Sequence, residues 1–172
     1  MFGFGRRSSV PDEAIEFAGF VLAHCAAIAD SNREGELICP FAMLRKAGRQ
    51  EVIDFESATQ AEAVAKGWQS LPEAKSKKTG WSFGREGIFR SEDSAEDVFT
   101  VSTWMPGMKE HVSVLQRFKR GPHQELLLHG EPELLTHATE IATEVDNWNC
   151  SALSRGIEAH PQGKRWPEWR AQ

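Results

Sequence analysis

The chain has 172 residues, with 25 acidic against 20 basic side chains and a formal net charge of −5. Apolar residues make up 40 % and charged residues 26 %, an ordinary balance for one globular domain with its own core. This composition excludes a collagen, a disulfide scaffold and a membrane protein, and the acidic balance argues against a nucleic-acid or anionic-membrane binder. The three cysteines match no disulfide or zinc spacing, so we expect reduced thiols in a cytoplasmic protein.

The N-terminal part predicts a flexible leader followed by a helix. Residues 1–8 lack the basic, apolar and small-residue regions of a signal peptide. A helix begins near Ser9 and ends near Asp30, because apolar residues recur at helical spacing between them. Its apolar stretch, Phe17 to Ala29, is shorter than the roughly 20 residues that span a bilayer, so we expect no membrane segment.

Strands then dominate. Two short apolar runs, Leu37–Leu44 and Glu51–Phe55, flank a polar connector and predict a hairpin. A capping box at Thr59–Glu62 begins a second helix. Further on, the short stretch Gly84–Gly87 predicts a bulge or tight turn rather than a phosphate loop, because no helix follows it. Apolar residues at a period near two, with turn residues between the runs, predict four more strands: Trp81–Phe89, Val98–Met105, His111–Lys119 and Glu125–His129.

A last helix is predicted to begin at Gly130–Glu133 and to end near Gly156, because its apolar residues fall on one arc. The fold class is therefore α+β, an antiparallel meander sheet with helices packed on one face, in the order α-ββ-α-ββββ-α. In this order of elements the chain resembles the profilin-like and roadblock-like scaffolds. We expect one domain over 9–156 and a tryptophan-containing tail over 157–172.

Four polar residues form a stripe on the predicted last helix. Spacings of four, three and four residues place them within about 60° of one another around the helix axis. Glutamate and histidine at one-turn spacing are suited to a cation such as zinc or manganese. The alternative is the solvated side of an amphipathic helix. The candidate metal ligands are Glu133, His137, Glu140 and Glu144.

The tail carries two tryptophans among cations, Trp166 and Trp169 with Arg165 and Arg170. Tryptophan and arginine are enriched at the energetic centres of protein interfaces, so these four residues are candidates for partner binding. The alternatives are that the tail docks on its own domain, or that it covers the segment 121–154, which holds six acids and no lysine or arginine.

No nucleophile-elbow, zinc-protease, Walker or dinucleotide-binding motif occurs in the sequence, and we expect no cofactor. The function that we expect is a protein-binding module without catalysis, of an immunity, adaptor or chaperone-like kind. Its partner would be another protein or a second copy that pairs through an uncovered sheet edge. The competing hypothesis is a metal- or small-ligand-dependent enzyme that uses the polar stripe of the last helix.

Overall fold

The computed structural model describes residues 10–33, 35–76, 78–137 and 141–170, the side chains of 72–76 aside. These residues form a seven-stranded antiparallel sheet and four helices. The predicted leader lies outside them. The elements in chain order are α1 (Asp12–Ser31), β1 (Phe41–Lys46), β2 (Arg49–Asp54), α2 (Gln60–Ser76), β3 (Gly80–Arg90), β4 (Ala95–Trp104), β5 (Val112–Arg120), β6 (Leu126–Thr136), β7 (Thr143–Glu144), α3 (Cys150–Ala159) and α4 (Trp166–Arg170).

The strands lie across the sheet in the order β2-β1-β3-β4-β5-β6-β7. The α+β class, the antiparallel meander and the order of helices and strands are thus confirmed. The resemblance to profilin-like scaffolds is not. The helix α1 is long and apolar enough to span a membrane by length and composition, but most of its apolar window is buried inside the domain. Such burial is typical of a helix at the centre of a domain core.

The two faces of the sheet carry different cores. On one face, α1, α3 and α4 cover a large apolar cluster that includes Phe17, Phe99 and Trp169. On the other face, α2 covers a smaller cluster around Trp81 and Phe83, so the helices lie on both faces of the sheet and not on one as predicted. Successive residues of a strand point to opposite faces, so the buried residues of β3 and β4 alternate between the two cores.

The predicted last helix is wrong over its first part, where β6 runs instead. Gly130 has φ +69° and forms a bulge, which reads in the sequence like the end of a strand. The strand continues because the Gln116 side chain of β5 holds the bulge. Its amide donates to the carbonyls of His129 and Gly130 at 2.9 and 3.3 Å. This support comes from another strand, so local periodicity does not show it.

The backbones of α1 and α3 touch where each helix has a glycine. A Cβ atom at Gly19 would overlap the carbonyl oxygen of Leu153, and one at Gly156 would overlap that of Glu16. Two glycines at the crossing therefore let the helices pack at a distance that side chains would prevent. The helix α3 also runs through the predicted domain boundary after Gly156, so residues 157–170 continue the same folded unit.

We expect Gly156→Ala to lower the free energy of unfolding by several kcal/mol, because its new methyl group meets backbone that cannot move without separating the helices. Gly87→Ala is the matched control, since the added carbon would meet only Val98 at 4.0 Å. Urea denaturation of both variants measures the difference. Equal stabilities would show that the helix crossing tolerates a larger separation.

Candidate functional site

The structure separates the predicted metal ligands from the helix on which they were placed. Glu133 lies on β6, His137 directly follows that strand, and Glu144 lies on β7. Glu140 lies outside the described residues. The Glu133 carboxylate is bound by Arg117 at 2.9 Å. Among the described residues no group of three or more His, Cys, Asp or Glu side chains is arranged to hold a metal ion. Metal binding by the four predicted residues stays a prediction.

The predicted partner-binding residues lie against their own domain. Trp169 is 2 % exposed in the large core, and Trp166 packs partly buried beside it. Arg165 pairs with Asp30 of α1 at 2.6 Å. Arg170 pairs with Glu131, a residue of the acidic segment, at 2.7 Å. Binding of another protein through these side chains stays a prediction.

A hydrogen bond between two histidines, His24 of α1 and His160, connects this C-terminal part to α1. The backbone N–H of Gln162 donates to Nδ1 of His160 at 3.1 Å, so the proton of the neutral ring is on Nε2. That Nε2 lies 3.0 Å from Nδ1 of His24 and therefore donates to it. Burial, and then the neighbouring His24, lower the pKa of His160 to about 4. Burial also lowers the pKa of His24. A proton on either acceptor nitrogen would break one of these bonds.

The most unusual charge of the described residues is Arg85, on the face of β3 that α2 covers. Its Nη1 donates to the Ser102 hydroxyl at 3.2 Å and to the Phe83 carbonyl at 3.4 Å. Its Nε and Nη2 donate no hydrogen bond to any described residue, and no described carboxylate forms an ion pair with the guanidinium. Burial lowers the pKa of the guanidinium to about 10. The residue is still partly exposed, and its Nε and Nη2 atoms are not fully buried.

A chain of hydroxyl groups runs from Arg85 across two strands. Ser102 lies 2.8 Å from Ser113, oxygen to oxygen, and the Ser113 oxygen lies 2.9 Å from Nε2 of His137. Arginine only donates, so the Ser102 oxygen accepts from it. Ser102 is fully buried, and Ser113 is the neighbour that can accept its proton. Every hydroxyl proton then has an acceptor when Ser113 donates to Nε2 of His137, whose neutral ring has its proton on Nδ1. Burial, which lowers the pKa of His137, favours the same neutral form.

Planar side chains surround this hydroxyl chain. The Trp68 ring lies 5.1 Å from the Arg85 guanidinium carbon and 5.1 Å from the His111 ring. His111 stacks on His137 with ring centroids 4.4 Å apart. Trp68 reaches the sheet because the residue before it is Gly67, where a Cβ atom would meet the Phe83 ring. We call the following six residues the Arg85 cluster: Arg85, Ser102, Ser113, His137, His111 and Trp68.

Arg117 provides the contrast on the same sheet face. It binds Glu96 and Glu133, both at 2.9 Å. The hydrogen bond that Arg117 donates to Glu133 is the main reason why the pKa of Arg117 is raised, whereas burial lowers that of Arg85. One arginine of this face is therefore neutralised by its own domain, and the other keeps a positive charge available to a ligand.

The chemistry that the Arg85 cluster supports is anion binding. Three guanidinium N–H groups without an acceptor among the described residues are suited to the oxygens of a carboxylate or phosphate. Ser113 and His137 resemble a nucleophile with its base, but Ser113 is only 2 % exposed and both of its neighbours are protein atoms. A substrate does not reach that hydroxyl in this conformation, so the pair orders the site.

The sequence indicated only one residue of the Arg85 cluster, His137, and for a different chemistry. Gly84–Gly87 was predicted as a bulge or tight turn, and that is wrong: β3 runs through it with Arg85 opposite Thr100 of β4. The strands β4 and β5 each contain one serine, and only the register between them pairs Ser102 with Ser113. No family model, curated protein or solved structure matches this chain.

The histidine pair predicts acid sensitivity. Because the pKa of folded His160 lies near 4, below the ordinary histidine value of 6.5, the unfolded chain binds more protons between these values. We therefore expect its contribution to stability to be complete above about pH 6.5 and to be lost as the pH falls towards 4. His160→Gln should show a smaller loss of unfolding free energy over this range than the wild type, by urea denaturation. His123→Gln, at an exposed position, is the control. An identical pH dependence in all three proteins contradicts the assignment.

Trp169→Ala should lower the free energy of unfolding by roughly 3–5 kcal/mol, the usual cost of emptying a buried tryptophan site. Trp166→Ala should cost less, because that ring is only partly buried. Thermal and urea unfolding measure both. A Trp169→Ala protein as stable as the wild type would return this residue to the partner-binding candidates.

Proposed function

We propose that this protein is a non-catalytic binding module that takes a small anionic ligand at the Arg85 cluster. One observation carries the proposal: the Arg85 guanidinium is desolvated, within reach of solvent and without a carboxylate partner among the described residues. A buried charge without a partner is costly to the fold, and a bound anion would offset that cost.

A small ligand fits the described surface better than a protein partner at the C-terminal segment. Trp169 is already buried in its own domain, and Arg165 and Arg170 are already paired. Protein binding through Trp166 remains the alternative. We also propose a cytoplasmic location, which three free cysteines support, two of them exposed.

The test is an NMR titration of the ¹⁵N-labelled protein with sodium benzoate, sodium acetate and inorganic phosphate. At least one of these anions should bind saturably and shift the Arg85 Nε–H resonance. Arg85→Gln should weaken that binding at least tenfold, because it removes both the charge and the planar pair of donors.

Two further variants make the result decisive. Arg85→Lys keeps a charge but loses the fork of donors, so it should also bind more weakly. Arg117→Gln is the matched control on the same sheet face and should bind within about threefold of the wild type, because its charge is already neutralised. The proposal fails if no anion binds the wild type, or if Arg85→Gln and Arg85→Lys both bind as tightly as the wild type.

A further inference from the structure

We propose that the ligand of the Arg85 cluster is an aromatic monocarboxylate, a single carboxylate carried on a planar ring. This inference rests on the proposed function and adds the chemical class of the ligand. Its observations are the charge balance of the site and the flat groups around it.

The charge balance favours one negative charge. Arg85 contributes the positive charge that no described carboxylate neutralises. The direction of the hydroxyl chain makes His137 neutral, so this ring adds no second charge. Glu110 lies close enough to His137 to oppose, through its charge, the lowering of the pKa of that ring. A doubly charged phosphate would therefore meet one cation and a nearby acid, whereas a carboxylate matches the site one to one.

The surroundings of Arg85 favour a planar ring behind that carboxylate. Trp68, His111 and His137 are each partly exposed, and they follow one another at ring separations of 5.1 and 4.4 Å. Together with the guanidinium plane beside Trp68, they form a row of flat groups at the surface. Aromatic rings pack against such groups by offset stacking or edge contacts, which adds affinity beyond buried area.

The experiment compares four probes by NMR titration of the full chain: benzoate, acetate, inorganic phosphate and the neutral analogue benzamide. We expect benzoate to bind at least tenfold more tightly than acetate or phosphate. Benzamide should show no binding at the concentrations at which benzoate saturates the protein, because it lacks the negative charge that Arg85 selects.

Trp68→Leu should weaken the binding of benzoate at least fivefold and leave the binding of acetate unchanged, since of these two anions only benzoate has a ring to stack. Trp68→Phe keeps a ring and should retain benzoate within about threefold, which guards against a general effect of the substitution. Trp148→Leu is the control, because Trp148 packs partly buried on the opposite core.

The outcomes separate the two proposals. If acetate or phosphate binds as tightly as benzoate in an Arg85-dependent manner, the aromatic class is wrong while the anion site stands. The aromatic class is also wrong if Trp68→Leu leaves benzoate unchanged. If no probe binds the wild type, the proposed function itself fails.

Discussion

The direct contact between the backbones of α1 and α3 is the constraint on which the remaining structure depends. Gly19 and Gly156 let the two helices meet without side chains between them. Since α3 is thereby fixed, His160 reaches His24, and the chain that follows returns to bury Trp169 in the core under the sheet. A contact made by two residues without side chains thus determines where the C-terminal part of the molecule lies. The burial of Trp169 and the neutrality of the histidine pair are consequences of this contact.

The two faces of the sheet carry different kinds of buried side chains. The face under α1 is mainly apolar and supplies most of the core, with a buried Ser82–Thr103 pair, whereas the face under α2 holds a buried polar chain that begins at Arg85. Apolar side chains of similar size would satisfy the packing there at least as well, because a buried charge rarely stabilises a fold. The proposed binding of an anion gives Arg85 a role other than stability.

Much of the fold could be predicted from local pattern, and the exceptions share one cause. The helix α1, the first hairpin and the strands up to β5 follow from hydrophobic period and turn residues alone. The strand β6 cannot be predicted in this way, because Gly130 is typical of a strand end. The strand continues past Gly130 because the Gln116 side chain of β5 donates hydrogen bonds to the carbonyls at the bulge. Gly84–Gly87 was likewise interpreted as an interruption of the strand, although the neighbouring strand β4 pairs along its whole length and β1 pairs with Gly84. In both places a contact distant in sequence decides the conformation.

The candidate site was hidden for a related reason. Its serines lie on different strands, and only the register between β4 and β5 makes them neighbours. Residue type alone does not distinguish Arg85, since Arg117 is also an arginine and lies on the same face of the sheet. The difference between them is that Arg117 has Glu96 and Glu133 beside it, and Arg85 has no described carboxylate. A sequence shows which charges are present, but only the folded sheet shows which of them the domain has left unbalanced, and that imbalance is the basis of the proposed anion site.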